Sequence, residues 1–310
     1  MSAASSFRHQ ALFYEGEDGF LAGTVPFIRE GLAREEPVLA AVSADKAASI
    51  SASLGPDAGR VSFLDIEDVG RNPARIIPAW RDFVDRHLPR TKSARGIGEP
   101  IWPARTPEEL VECHHHESLL NLAFDGGPGW ELLCPYDASR LDPEVIERAH
   151  HSHPLVSRDA DLHRSEAYEP ELAMNPFTGA LEAPPGEAEE FVFGLEDLPE
   201  LRQRVARAGA ENGLEDRRRS DLVFAVSEIA ANSVRHGDGL GIARVWRETG
   251  AIVCELRDQG QIRDPLAGRR RPNPIQGDGR GLWLVNQLCD LVQIRSSSSG
   301  TVVRLQMRVA

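Results

Sequence analysis

The chain has 310 residues, 41% of them hydrophobic and 27% charged, which suits two folded domains and excludes a disordered polymer. A net charge of −13 excludes a broad phosphate-neutralising surface, so no direct nucleic-acid partner is expected. No run approaches the roughly 20 apolar residues that span a bilayer, and MSAASSFRHQ lacks the apolar stretch of a secretory signal; the expectation is a cytoplasmic protein without a membrane partner.

Up to about residue 153, short β-rich runs alternate with amphipathic segments of helix length. ALFY reads as a strand and DGFLAGTVPFIREGL as a helix; PVLAAVS reads as a strand and ADKAASISASL as a helix stopped by Gly55. VSFLDIED is a third strand, and 73–87 a third helix. ARGIGEPIW reads as a fourth strand, TPEELVECHHHESLLNLAF as a helix opened by a Thr106-Pro107 cap signal, and WELLCPYD as a fifth strand. This alternation predicts an α/β domain with a mostly parallel sheet covered on both faces. From about 154 to 190 the chain is acidic, proline-bearing and weakly periodic, and reads as a linker.

The order then changes. FVFGL reads as a strand, DLPELRQRVARAGAENG as a helix with Gly213 at its end, and EDRRRSDLVFAVSEIAANSVRHG as a second helix. GIARVWRETG and AIVCELRDQG form a hairpin around Thr249-Gly250. After a glycine- and proline-rich loop, GRGLWLVNQLCDLV reads as a helix and VQIRSSSSGTVVRLQMRV as two strands around a Ser-Gly turn. Helices and an antiparallel sheet thus segregate into a two-layer α+β sandwich. The division is 1–156, a linker at 157–189, and 190–310.

Three features of the second half carry chemistry. On the helix SEIAANSVRHG, Glu228 and Asn232 are four residues apart and share a face. Alone, the pair also suits a solvated stripe beside Leu222, Val226 and Ile229. RDQG puts Asp258 at a strand end with Gly260 two residues on, where a carboxylate can accept from an exocyclic amine and a flat ring can approach the backbone; Asp-x-Gly is equally a turn. GDGRGLWLV places Gly277, Gly279, Arg280 and Gly281 before or at the opening of a helix, where free amides suit phosphate oxygens; a glycine hinge is the plainer reading.

In this order the three features resemble the GHKL (Bergerat-type) ATP-binding domain over roughly residues 190–310. The resemblance implies a nucleotide site for ATP and Mg²⁺. Asn232 would hold the ion, Glu228 would position or deprotonate the attacking hydroxyl, and Asp258 would read the adenine amine. Gly260 would flank the ring, and Gly277, Gly279, Arg280 and Gly281 would form the glycine-rich phosphate loop. The family's second glycine after the aspartate is Ile262 here, a change expected to narrow the approach to the adenine. Arg269, Arg270 and Arg271 lie in the intervening lid, where they suit phosphates, a partner or plain solvent.

The compact domain, the short lid and AVSEIAANSVRHG look like the anti-sigma factor serine kinases, the RsbW-like group. That likeness implies two protein partners, a sigma factor and an anti-anti-sigma antagonist whose serine is phosphorylated; a homodimer is also open to it. Alternatives are a non-catalytic nucleotide-dependent clamp on a sigma factor, and a histidine-kinase-like signalling protein. The last is disfavoured, because the segment before the second half reads as an acidic linker and not as the helical hairpin bearing a phosphoacceptor histidine that such a kinase needs.

In the first half, FRHQALFYEGEDGFLAGTVPFIREGLAREEPVLAAVS, HHHESLLNLAF, LLCPYD and HPLV resemble the MEDS sensory domain, a RecA/KaiC-like module, over roughly residues 7–156. The resemblance implies a sensor of a small-molecule signal, with Trp102, Phe124 and Trp130 as pocket walls or as core. No GxxxxGK[ST] loop is present. His9, Cys113, His114, His115, His116, Glu117, His150, His151 and His153 invite a metal reading, with Cys113, His116 and Glu117 on one helical face. Their spacing matches no HExxH pattern, and His116 with Glu117 also suits a buried hydrogen-bond network. The four cysteines, Cys113, Cys134, Cys254 and Cys289, have no CxxC spacing and read as reduced thiols.

Overall fold

The computed structural model describes residues 7–158, 161–186, 188–272 and 279–309. The chain divides into two compact units, 1–174 and 175–310. No described helix is long and apolar enough to cross a membrane.

The first unit runs β1 (Arg8–Tyr14), α1 (Gly16–Ala33), β2 (Val38–Val42), α2 (Ala44–Leu54), β3 (Val61–Asp65), α3 (Ile66–Val69), α4 (Ile76–His87), β4 (Arg95–Gly98), α5 (Pro107–Ala123), β5 (Glu131–Asp137), α6 (Pro143–Ser152), β6 (Leu155–Arg158) and β7 (Asp161–Arg164). The strands lie in the order β3-β2-β4-β5-β1-β6-β7. All neighbours are parallel except β6 and β7. Side chains alternate across β1 because a strand repeats every two residues. Leu12 and Tyr14 join a core with Phe20 and Ile28 of α1 and Ile50 of α2. His9 and Phe13 meet the opposite layer, where Glu117 of α5 and His150 of α6 lie.

The Thr106-Pro107 signal opens α5 as expected. Glu109 N–H donates to Thr106 Oγ1 at 3.3 Å, and Thr106 N–H donates to Glu109 Oε2 at 3.1 Å. This reciprocal box satisfies two amide donors that a helix start leaves unpaired. Thr106→Ala is expected to cost about 1 kcal/mol, read as a lower denaturant midpoint by tryptophan fluorescence; an unchanged midpoint would show that the box adds nothing to stability.

Two stretches differ from the sequence reading. The third helix begins as a 3-10 turn at Pro73–Arg75, and α4 proper starts at Ile76. The helix α6 carries its own signals, an Asp142 cap accepting from Glu144 N–H at 2.9 Å and Pro143 at the first position. The expected linker, 157–189, contains structure. The strand β6 adds to β1, β7 pairs with β6, and a 3-10 turn at Pro170–Met174 packs on α5. Its later part belongs to the second unit, where Phe177 O accepts from Ser296 N–H at 3.1 Å.

The second unit runs β8 (Glu190–Phe193), α7 (Leu198–Glu211), α8 (Asp216–His236), β9 (Gly241–Glu248), β10 (Ala251–Asp258), α9 (Arg280–Leu288), β11 (Leu291–Ser297) and β12 (Gly300–Arg308). Its sheet is antiparallel throughout, in the order β11-β12-β10-β9-β8. Ile252, Cys254 and Leu256 of β10 pack with Leu222, Val226 and Ile229 of α8, and Val303, Leu305 and Met307 of β12 complete that core. A chain with one mostly parallel and one antiparallel sheet, each layered with helices, bears out the α/β plus α+β expectation. The helix α9 stops at Leu288, earlier than its apolar run suggests, because Cys289 turns extended and hands Leu291 and Val292 to the sheet.

On the sheet face away from the helices, Glu255 is fully buried. It accepts from Arg304 Nη2 at 2.6 Å and Arg257 Nε at 2.7 Å. Arg304 also donates to Glu182 O at 2.7 Å, which ties the segment before β8 to this face. Charges so enclosed are tolerated because each finds a hydrogen-bonded counter-charge.

Candidate functional site

The expected nucleotide residues come together at one end of the second unit, on three elements. Glu228 and Asn232 sit half-buried one turn apart on α8. The opening of α9 lies against them: a Cβ at Gly281 would stand 2.6 Å from Glu228 Oε2 and 3.7 Å from Asn232 Nδ2. A side chain at 281 would displace the Glu228 carboxylate from this position. Gly279, at φ 81°, takes the left-handed conformation and caps α9 without a side-chain hydrogen bond. A helix start leaves its first amides without intrahelical partners, and those of α9 suit an anion at the positive end of the helix dipole.

The third element is the end of β10. Asp258 Oδ2 accepts from Ser233 Oγ at 2.6 Å, and Oδ1 accepts from Gly260 N–H at 2.7 Å. Ser233 follows Asn232, so one helix positions the amide and anchors the carboxylate. The close of α8 explains its His-Gly ending. A Cβ at Gly237 would stand 2.5 Å from Asp258 Cβ, and one at Gly260 would stand 2.7 Å from His236 O. Both glycines let the helix end and the strand end touch.

A hydroxyl relay braces this corner from the neighbouring strands. Ile262 N–H donates to Ser296 Oγ at 2.9 Å, Ser296 and Thr301 share a hydrogen bond of 2.8 Å, and Thr301 Oγ1 donates to Gly260 O at 2.8 Å. Ser233, Ser296 and Thr301 did not stand out in the sequence, where hydroxyl residues near turns are common; Ser296 and Thr301 meet because β11 and β12 pair them. The side chain of Ile262 is half-buried and packs against the hydrophobic core of this unit.

These groups suit an adenine nucleotide with Mg²⁺. Each oxygen of Asp258 keeps acceptor capacity after its one hydrogen bond, the glycines leave room beside it, and the amide oxygen of Asn232 is a hard donor. Gly277, the remaining member of the expected phosphate loop, lies outside the described residues. A concavity of about 860 Å³ opens between Phe177–Leu181 and the far face of the sheet at Ile242, Arg257 and Val302. It reaches the corner just described through Gly237, Asp258, Ser296 and Thr301, while Glu228 and Asn232 lie outside its lining.

In the first unit, the nine residues that invited a metal reading separate into two groups. His9, Glu117 and His153 meet in the interior, all fully buried, and Cys134 of β5 joins them. Of the others, Cys113 Sγ donates to Pro100 O at 3.4 Å, His115 Nδ1 lies 3.6 Å from Glu112 Oε2, His151 meets Glu169 at 2.8 Å, and His150 stacks on Phe13. Burial pushes the Cys113 thiol up to about 12, which keeps it protonated and inert. Of the aromatic candidates, Trp130 and Phe124 are core residues packed on Phe7 and each other, while Trp102 stacks on Arg105. Phe124 also borders a cavity of about 470 Å³ with Phe7, Asn121 and Tyr168.

Residues 8–154 match the family described as MEDS, the methanogen/methylotroph DcmR sensory domain. Residues 191–307 match the histidine kinase-like ATPase domain, which implies ATP, usually with Mg²⁺. Among solved structures, the RsbU and RsbW domains of Rv1364c from Mycobacterium tuberculosis are similar at 19% identity with a TM-score of 0.29, over 39% of this chain and 32% of that one. The Acinetobacter baumannii histidine kinase AdeS is similar at 8% identity with a TM-score of 0.22, over 39% of this chain and 68% of its own. The chain therefore aligns with only about a third (32%) of the Mycobacterium tuberculosis structure.

Proposed function

Because the chain joins a MEDS domain to a histidine kinase-like ATPase domain, and so has the make-up of a kinase-like signalling regulator, we propose that it is a signal-responsive anti-sigma factor. It binds ATP with Mg²⁺, phosphorylates a serine of an antagonist protein and sequesters a sigma factor. The observation that carries this reading is the seating of the α9 opening on the Glu228 and Asn232 pair, with the Gly281 Cβ position 2.6 Å from the carboxylate. A base, a metal-binding amide and the opening amides of α9 then share one small volume, the set that phosphoryl transfer requires.

In this reading Glu228 takes the proton of the incoming serine hydroxyl, and Asn232 holds the ion through its amide oxygen. Asp258, fixed by Ser233 and Gly260, accepts from the adenine amine. Gly260 leaves space for the ring, and the amides from Gly279 through Gly281, with Arg280, face the phosphates. The ion supplies charge neutralisation on the transferred group when it is bound. Serine is favoured over histidine as the acceptor because no histidine occurs between His163 and His236. The described residues between His163 and the start of the ATPase-like match at 191 form the end of β7, a 3-10 turn and the start of β8, with no helical hairpin among them.

Incubating the full chain with labelled ATP, Mg²⁺ and a candidate antagonist is expected to give acid-stable phosphoserine on the antagonist. Nucleotide retained without transfer would make the domain a clamp, and acid-labile phosphate on the chain itself would make it a histidine-kinase-like protein; either outcome overturns the serine kinase reading.

A further inference from the structure

The four side chains that meet inside the first unit come from β1, α5, β5 and the residue after α6. Their ligand atoms lie within 4.8 Å of one another. His9 Nε2 is 3.1 Å from Glu117 Oε2 and 3.3 Å from Cys134 Sγ, and His153 Nε2 is 3.2 Å from the same Glu117 oxygen. The edges of a tetrahedral zinc site with nitrogen, oxygen and sulfur ligands are about 3.3–3.8 Å, from bond lengths near 2.0–2.3 Å. Three of the six edges of the cluster already have nearly those dimensions.

Hydrogen bonding outside the cluster fixes which ring nitrogens face inward. His153 Nδ1 lies 2.8 Å from Ala149 O, a carbonyl that can only accept, so Nδ1 carries the proton. His9 Nδ1 lies 3.2 Å from Asn121 Oδ1, and Asn121 Nδ2 donates to Ser152 O at 2.8 Å, which orients the amide with its oxygen toward His9. Both imidazoles in their neutral form thus present an Nε2 lone pair to the same carboxylate. Ring nitrogens oriented through a second hydrogen-bonded shell are characteristic of metal-ligating histidines.

Two inward lone pairs around a buried carboxylate call for a cation at the centre, either a proton on an Nε2, as the 3.1 Å His9–Glu117 contact allows, or a metal ion. Glu117 Oε1 and His153 Nε2 are buried and make no hydrogen bond. The side chains of His9, Glu117 and His153 are wholly enclosed. Isolated ionisable groups are not left this way without cost.

We propose that His9, Glu117, Cys134 and His153 form a four-coordinate site for one divalent transition-metal ion, with Zn²⁺ the natural occupant. Two imidazoles, one thiolate and one carboxylate make a borderline-soft set that disfavours Mg²⁺ and Ca²⁺. Binding releases the Cys134 thiol proton, and the two anionic ligands then balance the dipositive ion. The site fastens the central strand β1 to β5, α5 and the end of α6. Asn121, which orients His9, also borders the 470 Å³ cavity, so a molecule entering there would reach the outer shell of the metal.

The test uses the full chain, stripped with a chelator and titrated with Co²⁺ or Zn²⁺ alone. The expected result is saturable uptake of about one ion per chain, a thiolate-to-cobalt charge-transfer band, and a higher melting temperature with Zn²⁺. Cys134→Ser should remove the band and weaken retention at least tenfold, in line with loss of a ligand, whereas Cys113→Ser should leave both unchanged. His153→Gln should weaken retention while keeping the thiolate band at saturating cobalt. Absence of saturable uptake by the unsubstituted chain would overturn the site, a result that depends on no variant folding. A band that survives Cys134→Ser and disappears in Cys113→Ser would overturn it equally.

Discussion

Glu228→Gln is expected to bind Mg²⁺-ATP much as the parent chain does and to transfer phosphate about 10²–10⁴-fold more slowly, the usual worth of a positioned general base. Glutamine keeps the shape of the side chain, so the close approach of Gly281 to this position survives. What it loses is the capacity to take a proton. Asn232→Ala, one turn on, should instead remove the Mg²⁺-dependent part of ATP affinity, and with it the transfer, because the amide oxygen serves the ion rather than the hydroxyl. Equilibrium binding of labelled ATP with and without Mg²⁺, measured beside phosphotransfer to the antagonist, separates the two. If both variants turn over like the parent chain, Glu228 and Asn232 are only a solvated stripe of α8.

Much of that corner was legible because its pieces are local. A spacing of four on a helix places Glu228 and Asn232 on one face whatever the tertiary structure, and a carboxylate at the close of an alternating strand marks the sheet edge. Likewise, the Thr-Pro start of α5 and the glycine stop of α2 are set within a few residues of chain. The metal cluster was only partly legible, for a physical reason. Its residues come from strands made neighbours by the order β5-β1-β6, and Cys134 faces α5 only because β1 pairs with β5 in a register that sets Ala11 opposite it. Nothing in the spacing of His9, Glu117 and Cys134 carries that pairing. Helical spacing pointed to Cys113 and His116, which share a helix with Glu117 but not its destination. The segment before β8 was equally opaque. It has little periodicity of its own, and its attachment through Glu182 to Arg304 is a contact between distant residues.

Asp258→Asn should produce the second large effect, a loss of adenine-nucleotide affinity of about 100-fold, as expected when a group built to accept a hydrogen bond becomes in part a donor. The carboxylate receives Ser233 Oγ on one oxygen and Gly260 N–H on the other. An asparagine has one acceptor oxygen, so its amide NH₂ must turn either toward the Gly260 N–H, donor against donor, or toward Ser233. Ser233 can tolerate the second arrangement because its hydroxyl rotates, and the amide oxygen then stays on Gly260. The fold is therefore kept, while the side available to Ser233 and the base edge presents a donor where the adenine amine also donates. Ser233→Ala supplies the control, since it removes the anchor of Asp258 without changing its charge and should weaken binding less. ATP and ADP titrations of the three chains, with melting temperatures measured in parallel, decide the matter. If Asp258→Asn binds adenine nucleotides as tightly as the parent chain at unchanged stability, Asp258 is a turn residue, and the recognition of the base lies elsewhere in the second unit.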